Sequence, residues 1–115
     1  MRRGEIRLVD LEPVRGSESN KRRPAVVVSN DRANEAAESF GRGVITVVPL
    51  TSNFARVLSF QVLVTARESG LAADSKAQTE QVRAVSVERL GPKIGWLPAK
   101  RMIELEQALR LHLQL

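Results

Sequence analysis

Two short runs place groups suited to phosphate chemistry at the ends of apolar stretches. Lys21-Arg22-Arg23-Pro24 leads into Ala25-Val26-Val27-Val28-Ser29, and Val47-Val48-Pro49-Leu50 leads out to Thr51-Ser52. A guanidinium offers five donors in a rigid fork with a permanent charge, and a hydroxyl donates a hydrogen bond without any change of charge. Held at the ends of buried strands, the two fit the oxygens of a phosphodiester on which negative charge accumulates. Pro24 keeps the backbone of Arg23 extended and so limits where its side chain can point. The competing readings are a surface arginine in a basic loop and a strand-terminal Thr-Ser turn that satisfies backbone groups.

The elements that must position these groups follow from patterning. Glu5-Ile6-Arg7-Leu8-Val9-Asp10-Leu11 alternates polar and apolar residues as a half-buried strand does. Residues 12–22, rich in Gly, Ser, Asn and charge, read as a surface loop long for a hairpin, and such loops are commonly functional. Ala25–Ser29 is continuous enough to be a strand buried on both faces or one in a small barrel. Asn30 or Asp31 caps a short helix over residues 34–38 that ends at Gly41 or Gly43. Strands follow at Val44–Val48 and Phe60–Val64, joined through residues 52–57. A loop at Glu68–Ala72 precedes an alternating stretch from Ser75 to Val85. Pro98 suits the first turn of a C-terminal helix on which Met102, Leu105, Leu109 and His112 or Leu113 face the core. Many short strands with a terminal helix imply a small, curled antiparallel sheet.

With 115 residues and 43% hydrophobic content, the chain forms one domain, 1–115, with a single modest core. No apolar run approaches the roughly 20 residues of a membrane span, and the first residues lead directly into a strand pattern with no signal-peptide core. A soluble cytoplasmic domain is the expectation. The absence of cysteine removes disulfides, thiol catalysis and thiolate metal sites. The single histidine, His112, sits in Leu111-His112-Leu113 and reads as a packing or surface residue. The formal net charge of +5 favours polyanions, or serves solubility alone.

The order of motifs along the chain is more specific than any one of them. Arg3-Gly4-Glu5-Ile6, Gly16-Ser17-Glu18, Arg23-Pro24-x-Val26, Val48-Pro49-x-Thr51-Ser52 and Glu80-Gln81-Val82-Arg83, with Asn53-Phe54-Ala55-Arg56 ahead of Phe60, resemble the MazF/Kid (PemK) toxins of type II toxin–antitoxin systems. The resemblance implies a mainly β (α+β) fold: a small SH3-like antiparallel β-barrel with short helices and a C-terminal helix, as in CcdB and MazF. It implies a homodimer that binds single-stranded RNA in a groove at its interface. Cleavage of mRNA, or of tRNA or rRNA, would proceed without metal or other cofactor by attack of the 2′-hydroxyl, leaving 2′,3′-cyclic phosphate and 5′-hydroxyl ends. The implied partner is a cognate antitoxin whose acidic, partly disordered C-terminal tail occupies the groove. Contact with DNA is expected only through the antitoxin complex, and none with membrane.

Carried over residue by residue, the resemblance makes Arg23 and Thr51 catalytic. Glu80 and Glu18 are the candidate proton acceptors, since a desolvated carboxylate can take the 2′-hydroxyl proton; the alternative for both is an ion pair that steers Arg23. Lys21, Arg22, Ser52, Phe54, Gln81 and Arg83 are the candidate RNA contacts, Phe54 by base stacking. Kid-type members carry an arginine two residues before the carboxylate. This chain has Gln78 there, which removes that arginine as a general acid. A gyrase poison of the CcdB kind is the first alternative, disfavoured by the ending Leu111-His112-Leu113-Gln114-Leu115 in place of Trp-Gly-Ile. A non-catalytic RNA- or protein-binding barrel is the second.

Overall fold

The computed structural model describes residues 1–53 and 55–115. Seven strands and three helices follow in the order β1 (Glu5–Asp10), β2 (Arg22–Val27), α1 (Asp31–Phe40), β3 (Val44–Thr51), β4 (Gln61–Val64), α2 (Ala66–Ser69), β5 (Ser75–Gln78), β6 (Arg83–Ser86), β7 (Leu90–Trp96) and α3 (Ala99–Leu113). The strands form one curled antiparallel sheet in the order β4-β5-β3-β2-β1-β7, with β6 also on β3. The mainly β architecture with short helices and a C-terminal helix is the one expected.

The β-branched runs form the centre. β2 and β3 alternate between two cores: Val26, Val48 and Leu50 join Ile6, Val62, Val64, Leu97 and Leu105 in one cluster, while Ala25, Val27, Ile45 and Val47 join Val9, Leu11, Ala37 and Val85 in the other. Burial on both faces therefore holds for β2. α3 covers the first cluster through Leu105 and Ala108, and α1 closes the second through Ala37. α1 is longer than its sequence pattern indicates. The Asn30 side chain accepts from the Ala33 amide and Gly41 ends the helix at φ 65°, a left-handed conformation that favours glycine.

Four differences from the patterning have physical reasons. First, β7, Leu-Gly-Pro-Lys-Ile-Gly-Trp, carries no alternation, yet it pairs with β1. Its glycines are required by close approach: a Cβ at Gly95 would lie 2.5 Å from the Ser69 carbonyl oxygen, and one at Gly91 would lie 2.9 Å from that of Leu8. Second, part of the expected 68–72 loop is the single-turn helix α2, fixed by a capping box between Thr65 and Glu68. Third, Pro98 is the N-cap of α3 rather than a residue of its first turn, and His112 and Leu113 are exposed on its last turn. Fourth, the stretch from Ser75 to Val85 is not one strand. Leu50 pairs with Ala77 and Val47 with Arg83, so three steps along β3 are matched by six on its partner. The surplus is extruded as the 3-10 turn Thr79–Gln81, much as a bulge absorbs extra residues.

Glu68 also joins α2 to α3. Burial pushes its carboxyl pKa up, but the Thr65 amide, the Arg101 guanidinium and the Thr65 hydroxyl outweigh this and hold it below the ordinary glutamate range. Arg101 Nε lies 3.0 Å from Glu68 Oε1. A carboxyl held below its unfolded value stabilises the fold above that value, and the contribution disappears as pH falls through the native one. The expected result is that Glu68→Gln melts at a lower temperature than the parent at pH 7. The gap should shrink from about pH 5 downward, which paired melting curves across that range would measure.

Candidate active site

The site begins where a ladder opens. β2 and β3 pair through Val27↔Val47, Val26↔Val48 and Ala25↔Pro49. Pro24 has no amide hydrogen, so the ladder lacks a donor at this end. Continuing the same register carries Arg23 to the position opposite Thr51, on the face that Ala25 and Val27 share. The two residues singled out from the sequence thus lie at the same end of adjacent strands.

Arg23 is half-buried and held by one neighbour. Its Nε donates to the Asn20 carbonyl at 2.8 Å and its Nη2 to Asn20 Oδ1 at 3.2 Å. Two of the five guanidinium donors are engaged, and the others are left for an anionic oxygen. Thr51 Oγ1 accepts from the Asn53 amide at 3.2 Å, which orients the hydroxyl and leaves its proton to donate. Arg23 thus offers a cation with spare donors, and Thr51 a neutral donor, at the same end of β2 and β3.

The alternative role for the two carboxylates, an ion pair with Arg23, is not formed among the described residues. Glu18 is exposed and its Oε1 accepts from the Arg15 amide at 2.5 Å within its own loop. Glu80 accepts at Oε2 from Gln61 Nε2 at 2.6 Å. Its Oε1 is buried and has no hydrogen-bond partner among the described residues. An amide carbonyl, not a charge, thus steers Arg23, and one acid is left with a spare, shielded acceptor.

Two concavities border this end of the strands. The larger, about 590 Å³, is lined by Lys21, Arg22, Arg23, Leu50, Ser52 and Ile94 among others. The smaller, about 280 Å³, is lined by Glu18, Ser19, Glu80, Gln81, Val82 and Arg83. The candidate RNA contacts are accordingly divided: Lys21, Arg22 and Ser52 on one side, Gln81 and Arg83 on the other. Size alone would favour the larger cleft as the seat of the chemistry. The carboxylates, however, line the smaller, and Ser19 in its lining is followed in the chain by Asn20, which holds Arg23. Arg83 also donates to the Leu11 carbonyl at 3.3 Å. Phe54 lies outside the described residues. His112 stacks obliquely near Phe60, ring centroids 5.3 Å apart, a packing position. Asn20 and Gln61 hold site residues and were not singled out from the sequence, because a loop asparagine and a strand glutamine carry no pattern that marks them.

The sequence matches the PemK-like, MazF-like toxins of type II toxin–antitoxin systems over residues 2–113. It is 60% identical over 115 residues to endoribonuclease MazF9 of Mycobacterium tuberculosis, covering all of this chain and 98% of the relative. Among solved structures, MazF from Deinococcus radiodurans superposes with a TM-score of 0.80 at 23% identity, covering 100% of this chain and 97% of that one. An endoribonuclease from a mycobacterial species, solved in complex with its cognate antitoxin, gives a TM-score of 0.75 at 20% identity, with 100% and 96% coverage. Shared motif order, full-length identity and common fold agree, and the chain belongs to the PemK-like, MazF-like toxin family.

Proposed function

We propose that the protein is an endoribonuclease toxin that cleaves single-stranded RNA, foremost mRNA, and reduces translation and growth until a cognate antitoxin neutralises it. Family membership and the full-length relative named as an endoribonuclease support the activity. The observation that carries the site is the joint placement of Arg23 and Thr51 at the end of the β2–β3 ladder.

In the proposed reaction the ribose 2′-oxygen attacks the adjacent phosphorus and loses its proton. The bond from phosphorus to the 5′-oxygen breaks and that oxygen takes a proton from solvent, leaving a 2′,3′-cyclic phosphate and a 5′-hydroxyl. Arg23 compensates the charge that gathers on the non-bridging oxygens, and the Thr51 hydroxyl donates to one of them. Glu80 is better suited than Glu18 to receive the 2′-hydroxyl proton, because its Oε1 is shielded and unmatched whereas Glu18 is exposed and turned to its own loop. Lys21, Arg22 and Ser52 along the larger cleft, with Arg83, supply contacts to neighbouring phosphates.

The antitoxin assignment draws support from the fold shared with an endoribonuclease solved in complex with its cognate antitoxin. Its tail is taken to be acidic and partly disordered, competing for the same basic cleft in a homodimer. No described helix is long and apolar enough to cross a membrane, and an RNA substrate places the action in the cytoplasm. The experiment is cleavage of defined RNAs by purified protein in EDTA with mapping of product ends. Cyclic-phosphate ends in EDTA are the expected result. Intact RNA from folded protein would sink the reading, and gyrase supercoiling and RNA-binding assays would then separate the poison and adaptor alternatives.

A further inference from the structure

We infer that Gln81 is a positioning residue for Arg23, acting across the barrel through the loop between β1 and β2. Its carboxamide uses both ends on that loop. Oε1 accepts from the Ser19 amide at 2.9 Å, and Nε2 donates to the Ser17 carbonyl at 2.9 Å. Neither contact is local, since 62 and 64 residues separate the partners. Ser19 is followed directly by Asn20, whose carbonyl and side-chain oxygen hold the Arg23 guanidinium. The loop is closed beyond Asn20 by Lys21, which has φ 63° and accepts from the Leu11 amide at 3.0 Å. Clamp and guanidinium are therefore linked by hydrogen bonds at either end of the Ser19–Asn20 peptide.

The clamp itself is fixed from the opposite side. Gln81 ends the 3-10 turn that the β3 register extrudes. In that turn Thr79 donates to the Phe60 carbonyl and Glu80 accepts from Gln61. Three consecutive side chains thus tie the turn to both loops flanking the site: Thr79 and Glu80 hold the end of the β3–β4 connection, and Gln81 holds the β1–β2 loop. A carboxamide is the one side-chain type that supplies a donor and an acceptor of this reach in a single plane. Glutamate keeps the acceptor but sets a negative oxygen against the Ser17 carbonyl, and alanine supplies neither. Small misplacements of a catalytic group are costly, on the order of 10²-fold for about 1 Å.

The inference rests on the proposed role of Arg23, and the test separates the two. Single-turnover cleavage of a short RNA with one cut site is measured for the parent, Gln81→Ala, Gln81→Glu, Arg23→Ala and the Gln81→Ala/Arg23→Ala double variant. Binding of the same RNA with a 2′-O-methyl group at the cut is measured beside it, with amide hydrogen exchange over residues 17–20. Gln81→Ala is expected to lower the cleavage rate by about 10- to 100-fold with binding changed less than about threefold, and to speed exchange at Ser19. Gln81→Glu, which keeps the side-chain volume, should lose less. In the Arg23→Ala background the Gln81 substitution should cost nothing further. Equal losses in both backgrounds, or a loss confined to RNA binding, would make Gln81 a direct RNA contact and overturn the inference. Parent-level cleavage by Arg23→Ala would instead overturn the role of Arg23.

Discussion

Arg23→Ala is expected to lower the rate of RNA cleavage by about 10²- to 10³-fold, the usual consequence of removing one preorganised donor from a site of developing charge. The substrate phosphodiester carries one negative charge and the phosphorane carries more, so a fixed cation stabilises the transition state over the ground state. That difference, not affinity, is what accelerates the reaction. Arg23 meets the requirement for preorganisation. Pro24 restrains its backbone, β1 flanks it through Val9↔Arg23, and Asn20 holds two of its donors. Arg23→Lys should recover only a small part of the rate. An ammonium has charge but no planar fork, and it cannot keep the Asn20 contacts while reaching a phosphate. Rates under single-turnover conditions, with circular dichroism to confirm the fold, give the answer; a loss under threefold would remove Arg23 from the chemistry.

How far the sequence led depended on what kind of signal each feature leaves. β2 and β3 were legible because runs of β-branched residues bounded by proline have few other solutions. A slip of one residue between them would carry Val26 and Val48 from the first core to the second. Arg23 and Thr51 were therefore legible as residues, and their placement at the same end of adjacent strands follows once the strands pair. β7 was not, because its glycines answer to the Ser69 and Leu8 carbonyls that press on it, a demand that lies 26 or more residues away in the chain. α2 is too short for periodicity, although Thr65-x-x-Glu68 carries the capping-box signal.

The candidate site shows the same division. Residue types named the cation and the hydroxyl, but not what holds them. A carboxylate beside an arginine is the obvious pairing on paper. In the fold Glu18 turns back on Arg15 and Glu80 is bound to Gln61, leaving Asn20 as the group that orients Arg23. The clamp by Gln81 depends on a register surplus of three residues between β3 and its partners. No local pattern encodes such a surplus, because it is a property of two strands taken together.

Leu105→Ala is expected to destabilise the protein by about 2–5 kcal/mol, the range for deleting a large buried side chain with incomplete collapse of the cavity. Leu105 is fully buried, and with Ala108 it is one of two buried residues on α3. The helix otherwise touches the barrel through half-buried Met102 and Leu109, while Ile103, Leu111, Leu113 and Leu115 are largely exposed. One side chain thus supplies much of the apolar contact between α3 and the sheet. Most helical stability in a folded domain comes from such contact and little from intrinsic propensity. The cluster that Leu105 enters includes Ile6, Val26, Val48 and Leu50, so the same substitution loosens the strands that end at Arg23 and Thr51. Urea unfolding should show a lower midpoint with an unchanged slope. Gln107→Ala, on the exposed side of the helix, should stay within about 0.5 kcal/mol of the parent. A loss below about 1 kcal/mol for Leu105→Ala would mean that α3 closes over the missing side chain or is held by its exposed face. A midpoint that then depends on protein concentration would identify that face as the subunit contact.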